Sequence, residues 1–166
     1  MRVMATRSGS VDPGLLLWLL EHTGFSAAQL SDALEHESGL LGLSGTSDMR
    51  EVLERQDASD ATAQLALAVY LDRLRGGIAA MTAALAGLDA LVFTGGVGER
   101  SAKIRSAATA DLGFIGVAID ARRNAEAHGD CEITLDRAPV KAFVVVARED
   151  LEIARQVRPL VEPRTP

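Results

Sequence analysis

The chain has 166 residues, 17 Lys and Arg against 23 Asp and Glu for a net charge of −6, and one cysteine. That length suits one ordinary domain, and a lone thiol, Cys131, excludes an internal disulfide or a cysteine-based zinc centre and fits a reducing compartment. The acidic balance, with no Lys/Arg block, argues against nucleic acid as a partner, and no apolar run approaches the ~20 residues of a membrane span, so a soluble, cytoplasmic protein is expected.

Asp12-Pro13 predicts the first helix start, with Asp as N-cap and Pro at the position whose N–H is an orphan anyway; Leu15, Leu16, Leu19 and Leu20 form its apolar stripe and Gly24 its stop. Ser26 caps a second short helix to about His36. The Ser- and Gly-rich stretch 38–48 reads as a loop with apolar anchors, followed by one or two helical turns over Met49–Gln56 and a polar break and new cap at Asp57–Asp60. Ala61–Leu85 repeats apolar residues at helical spacing and predicts one long helix, softened at Gly76-Gly77. Asp89–Thr94 reads as a buried strand and Gly95–Glu99 as the turn leaving it, before a helix capped by Ser101. Phe114–Ile119 and Val140–Val146 read as further buried strands, Glu132–Leu135 as a short one, and Asp150 to about Val161 as the last helix. The sum is α/β, with no linker and no repeat; residues 162–166 are expected to fray.

Four places offer chemistry, each with a plainer alternative. Gly95, Gly96 and Gly98 between a strand and a capped helix give a ligand access to bare backbone, or simply supply a turn; the pattern is neither a Walker loop nor a complete G-x-G-x-x-G. Asp48-Met49-Arg50 sets an acceptor and a forked donor two residues apart, suited to a ribose hydroxyl and a base or phosphate, or to a helix cap and a solvated Arg. Arg7 is either a cation for a transferring phosphoryl group or an ordinary surface residue. Glu149 follows an apolar run as a Mg²⁺ ligand at a strand end, or as a helix-dipole partner. His22, His36 and His128 share no metal-binding or triad spacing.

Read in order, Met4–Gly14, Ser38–Gly45, Ser47-Asp48-Met49-Arg50, Ala90–Glu99 and Arg148–Arg155 closely resemble the acetate kinases of the acetokinase family, a group that includes enzymes taking propionate or butyrate. The resemblance implies transfer of the γ-phosphoryl of ATP to a short carboxylate with Mg²⁺, giving acetyl phosphate and ADP. It also implies a ribonuclease-H-like fold, of the type in actin, Hsc70 and sugar kinases, with a mixed sheet and flanking helices. By position it implies Arg7 as the catalytic, phosphoryl-stabilising arginine, Asp48, Met49 and Arg50 as an adenosine-contacting segment, and Gly96, Val97, Gly98, Glu99 and Arg100 as a second nucleotide segment. Glu149 is implied as the magnesium ligand. Ala5, Arg100 and Ala147-Arg148 depart from the family's usual residues, and Arg148 offers Glu149 an ion pair instead of a metal.

The motifs of the family's amino-terminal half, which carries the acyl pocket and most of the phosphate cradle, do not occur in residues 1–166. The expectation is therefore residues 1–161 as the carboxyl-terminal nucleotide-binding domain of an acetate kinase, the second half of a two-domain fold, binding adenine nucleotide weakly and catalytically incomplete alone. Two alternatives stand beside it. One is a homodimerising module without activity, since the resemblance implies a dimer made through this half; the other is one half of a split acetate or propionate kinase.

Overall fold

The computed structural model describes residues 3–161. The tail expected to fray, 162–166, lies outside them. Contacts divide the chain into two compact units, residues 1–88 and 89–166.

The first unit is helical. Its elements are α1 (Pro13–His22), α2 (Ala27–His36), α3 (Gly39–Ser44), α4 (Met49–Asp57) and α5 (Ala61–Ala84). Side-chain caps start four of them. Asp12 Oδ1 accepts from Leu15 N at 3.2 Å, and Ser26 and Gln29 form a reciprocal capping box. Asp48 Oδ1 accepts from Arg50 N at 2.8 Å, and Asp60 Oδ1 accepts from the N–H groups of Thr62 and Ala63. Each satisfies a backbone donor that the first turn leaves orphaned. α5 packs against α3 and α4, and Leu30, Leu40, Met49, Val52, Ala63, Ala66 and Leu67 are buried.

One expectation changes here and one is met. The stretch read as a loop contains α3, which Gly45 ends in a left-handed conformation at φ 78°. Its N–H groups at Leu40 and Leu41 are satisfied by carbonyls of Met4 and Ala5, so a tertiary contact rather than local propensity stabilises it. α5 runs unbroken through Gly76-Gly77 over 24 residues, a rod of roughly 36 Å.

The second unit holds the sheet: β1 (Ala90–Phe93), β2 (Cys131–Glu132) and β3 (Lys141–Val144), in the order β1-β3-β2. β1 and β3 are parallel, Ala90 opposite Lys141 and Phe93 opposite Val144, while β2 runs antiparallel to β3. The helices are α6 (Gly95–Arg100), α7 (Ala102–Thr109), α8 (Ala121–Ala125) and α9 (Glu149–Val161). Ser101 caps α7 as its sequence predicts, accepting from Ile104 N at 3.2 Å. Phe93, Ile104, Ala108, Leu112, Val117, Ile133, Val140, Ala142 and Val144 form the buried set.

The strand expected at Phe114–Ile119 is instead a 3-10 turn over Gly113–Ile115, with Phe114 77% exposed, followed by single bridges from Val117 to Val140 and from Ile119 to Thr134. Gly116, at φ 84° and with Pro139 so close that a Cβ would lie 2.7 Å from its ring, breaks the extended run. The Gly95–Glu99 turn is tightened into the helical turn α6.

Candidate functional site

In the second unit the parallel pairing brings the carboxyl ends of β1 and β3 to one edge, where α/β sheets offer ligands a crevice. Val145 N donates to Phe93 O at 2.9 Å, so the segments leaving the two strands emerge side by side. The first segment is the glycine turn, whose glycines differ in what surrounds them. Gly95 sits at φ 73°, a conformation costly to any residue with a Cβ. Gly98 approaches the main chain of Phe93, where a Cβ would lie 3.4 Å from the carbonyl carbon. Gly96 is exposed, and a Cβ there would meet nothing within 4 Å. Its backbone is open to solvent in the way a backbone-binding ligand requires. Val97 is half-buried and Arg100 exposed.

Glu99 does not point into that space. Its Oε1 accepts from Gly95 N at 2.7 Å and from Ala147 N at 2.8 Å. On the opposite flank Asp130 Oδ1 accepts from Val146 N at 2.9 Å and Oδ2 from Arg148 Nη2 at 2.8 Å. The Val146 N–H, and then the Arg148 guanidinium, hold the Asp130 carboxyl below its ordinary range. Arg148 thus pairs with Asp130, and the ion pair it offers Glu149 on sequence grounds is not formed. Glu149 opens α9 as an exposed residue, and among the described residues no hydrogen bond or ion pair engages its carboxylate.

Among the described residues no three His, Cys, Asp or Glu side chains cluster to cage a metal. The Glu149 carboxylate, two residues after the Ala147 that Glu99 ties to the glycine turn, instead fits the way Mg²⁺ binds with nucleotides, through one or two carboxylates, waters and the phosphates themselves.

Sequence reasoning missed Arg105 and Asn124, both 2% exposed. Arg105 Nη1 donates to Gly98 O at 2.9 Å and Glu99 O at 2.8 Å, while its Nε and Nη2 donate to the side-chain and main-chain oxygens of Asn124. Asn124 Nδ2 in turn donates to Ala102 O and Ser106 Oγ. The guanidinium therefore closes the carbonyl end of α6 and fixes the glycine turn from beneath. The available signal was position: Arg105 sits on the stripe shared by Ile104, Ala108 and Leu112, where a core side chain belongs.

In the first unit Arg7 is exposed on a segment laid across the start of α3. Ser38 N donates to Thr6 O, Leu40 N to Met4 O and Leu41 N to Ala5 O, at 2.8–3.0 Å, and Ser8 N donates to Leu34 O at 2.9 Å. Gly39, at φ 64°, permits this approach: a Cβ would overlap Met4 O and lie 2.9 Å from Arg7 O. Asp48 and Arg50 are closed on each other, Arg50 Nη2 donating to Asp48 Oδ2 at 2.6 Å, and the Arg50 side chain, then its N–H, holds the Asp48 carboxyl below its ordinary range. Met49 is 6% exposed and anchors α4 in the core, so its side chain is not presented to a ligand.

A family model described as the Acetokinase family matches residues 2–155. The chain is 48% identical over 161 residues to an acetate kinase of Synechococcus sp. (strain JA-2-3B'a(2-13)), covering 96% of this chain and 40% of that protein. It is 42% identical over 165 residues to a propionate kinase of Citrobacter rodentium, covering 99% and 40%. The crystal structure of Porphyromonas gingivalis acetate kinase superposes with a TM-score of 0.88 at 36% identity, over 97% of this chain and 41% of that one. The chain spans about 40% of the length of the curated relatives it matches.

Proposed function

This chain belongs to the acetokinase family, and on that premise we propose that it is the carboxyl-terminal, nucleotide-binding part of an acetate kinase, residues 1–161 serving that role. The whole enzyme would transfer the γ-phosphoryl of ATP to acetate, giving acetyl phosphate and ADP. Similarity to both acetate and propionate kinases leaves the family's short carboxylates as the acceptor class.

The observation that carries the reading is the open face of Gly96 at the carboxyl end of β1, beside the segment that leads into Glu149. Phosphoryl transfer asks the protein mainly for positioning and charge neutralisation. In the second unit Gly96–Arg100 would receive the nucleotide on main-chain groups, and Glu149 would hold Mg²⁺. When bound, that ion neutralises charge on the phosphate oxygens. In the first unit Asp48 and Arg50, which pair with each other at the surface, would contact adenosine. Arg7, on its tethered segment, would offer a fixed cation to the transferring group. The acyl pocket is assigned to the part of the relatives that this chain does not span.

Calorimetric titration of ADP with Mg²⁺ into the 166-residue chain tests the reading. Binding is expected, and Gly96→Val abolishes it while leaving the unfolding transition in place, because its side chain fills space meant for the ligand rather than colliding with protein. Acetyl phosphate formation from ATP and acetate is expected to be absent for the chain alone; turnover would refute the assignment of the acyl pocket elsewhere.

A further inference from the structure

Three consecutive N–H groups after β3 are each held by a different element: Val145 by Phe93 O, Val146 by Asp130, Ala147 by Glu99. The segment 145–148 has little slack, and α9 with Glu149 begins directly after it. Of these ties only Glu99 reaches the glycine turn, because the same Oε1 also accepts from Gly95 N. The main chain that carries Glu99 is itself held from below, Arg105 donating to the Gly98 and Glu99 carbonyls. One carboxylate oxygen therefore links the backbone proposed to receive a nucleotide with the backbone that carries the proposed cation ligand.

A carboxylate beside a polyphosphate site is otherwise hard to account for, since like charge would weaken binding. Here two N–H dipoles take up that charge, and the side chain acts on the site through the backbone.

We infer that Glu99 is a positioning residue that makes nucleotide binding at the glycine turn and divalent-cation binding at Glu149 favour one another. The inference rests on the nucleotide and cation reading above. With the brace in place, whichever ligand binds first orders both segments, and the second meets a site already arranged. Without it, Ala147 N–H turns to water and the link between Gly95 and Ala147 is lost, so that beyond the Val145–Phe93 and Val146–Asp130 ties each ligand bears more of its own ordering cost. Coupling of this kind is reciprocal.

The test is ADP affinity of the 166-residue chain with and without Mg²⁺, for the unsubstituted protein and for Glu99→Ala, Glu99→Asp and Glu99→Gln. Formation of the Mg²⁺–ADP complex in free solution is common to all four, so differences belong to the protein. In the unsubstituted chain Mg²⁺ is expected to tighten ADP binding by about fivefold or more; in Glu99→Ala and in Glu99→Asp, one methylene too short, the ratio falls by about twofold or more, the remainder being the direct contact of the cation with phosphate. Glu99→Gln restores the ratio, because an amide oxygen accepts from both N–H groups. Hydrogen exchange of the Ala147 amide provides a second readout, independent of binding: it accelerates in the Ala and Asp variants and not in Gln, and the near-isosteric pair keeps the comparison valid if Glu99→Ala fails to fold. Failure of the unsubstituted chain to bind ADP overturns the nucleotide reading and this inference together. ADP binding that Mg²⁺ never strengthens overturns the cation reading and the inference. A Mg²⁺ effect undiminished in Glu99→Ala and Glu99→Asp overturns the inference alone.

Discussion

Replacing Gly39 with Ala attacks the support of the Arg7 segment at one atom. Two costs add. A residue with a Cβ held at the φ of 64° pays roughly 1–2 kcal/mol of backbone strain. The new methyl also overlaps Met4 O and crowds Arg7 O, which are backbone atoms and cannot swing aside. Clearing it means lifting the segment that accepts from the N–H groups of Ser38, Leu40 and Leu41. At a net value of about 0.5–1.5 kcal/mol per bond, losing one to two of them brings the total to about 1.5–5 kcal/mol. Gly45→Ala is the matched control, since Gly45 has φ 78° and nothing within 4 Å of a Cβ, and so isolates the strain at about 1–2 kcal/mol. Urea unfolding followed by far-ultraviolet circular dichroism measures both, and the rate of tryptic cleavage after Arg7 reports whether the segment has lifted. Gly39→Ala should be the less stable by about 1–3 kcal/mol and the faster cut. Equal stabilities within about 0.5 kcal/mol and unchanged cleavage would show that the segment is not held by this contact.

Two further outcomes follow from the same geometry. Arg105→Met leaves the carbonyls of Gly98, Glu99 and Asn124 without their donor and should cost about 3–5 kcal/mol in a thermal or urea melt, against less than about 0.5 kcal/mol for the exposed Arg122→Met. Asp60 governs an acid limb: the Thr62 hydroxyl, then the Arg55 guanidinium and the Ala63 N–H, hold its carboxyl well below the ordinary range. Because the folded value is depressed, its stabilisation is fully present above the unfolded value of about 4 and is lost as pH falls toward the folded one. The gap in urea midpoint between the unsubstituted chain and Asp60→Asn should be widest at neutral pH and shrink through the acid range; a constant gap would refute the assignment.

The elements that local chemistry dictates could be read directly. Caps at Asp12, Ser26, Asp60 and Ser101, the long helix, and the apolar strands β1 and β3 all follow from side chains acting on their nearest neighbours, although β1, expected to be buried, leaves Ala90 and Val92 exposed. What escaped depends on distant partners. α3 forms from a Ser/Gly-rich stretch because a segment more than thirty residues earlier supplies its missing acceptors. The supposed strand after Gly113 gives way to a turn because Gly116 takes a left-handed conformation, φ 84°, which an extended run cannot contain. At the site, the motifs marked which stretches matter without revealing how their side chains are used: Met49 turns into the core, Glu99 onto the backbone, and Arg148 to Asp130. Arg105 passed unnoticed because arginines usually lie at the surface, and only its place on an apolar stripe marks it as an exception.

The strand order has a consequence for how the chain is made. β3 is central, yet of these three strands it is made last, and β1 must wait about fifty residues for the partner it pairs with in parallel. The unit that precedes β1, whose described elements are all helices, can complete itself in that interval. Ala-Leu-Val-Phe at 90–93 meanwhile stands as an unpaired apolar edge during synthesis. Aggregation in this protein should therefore begin from nascent or unfolded chains that display β1 before residues 141–144 arrive, and a slower or truncated synthesis should make it worse.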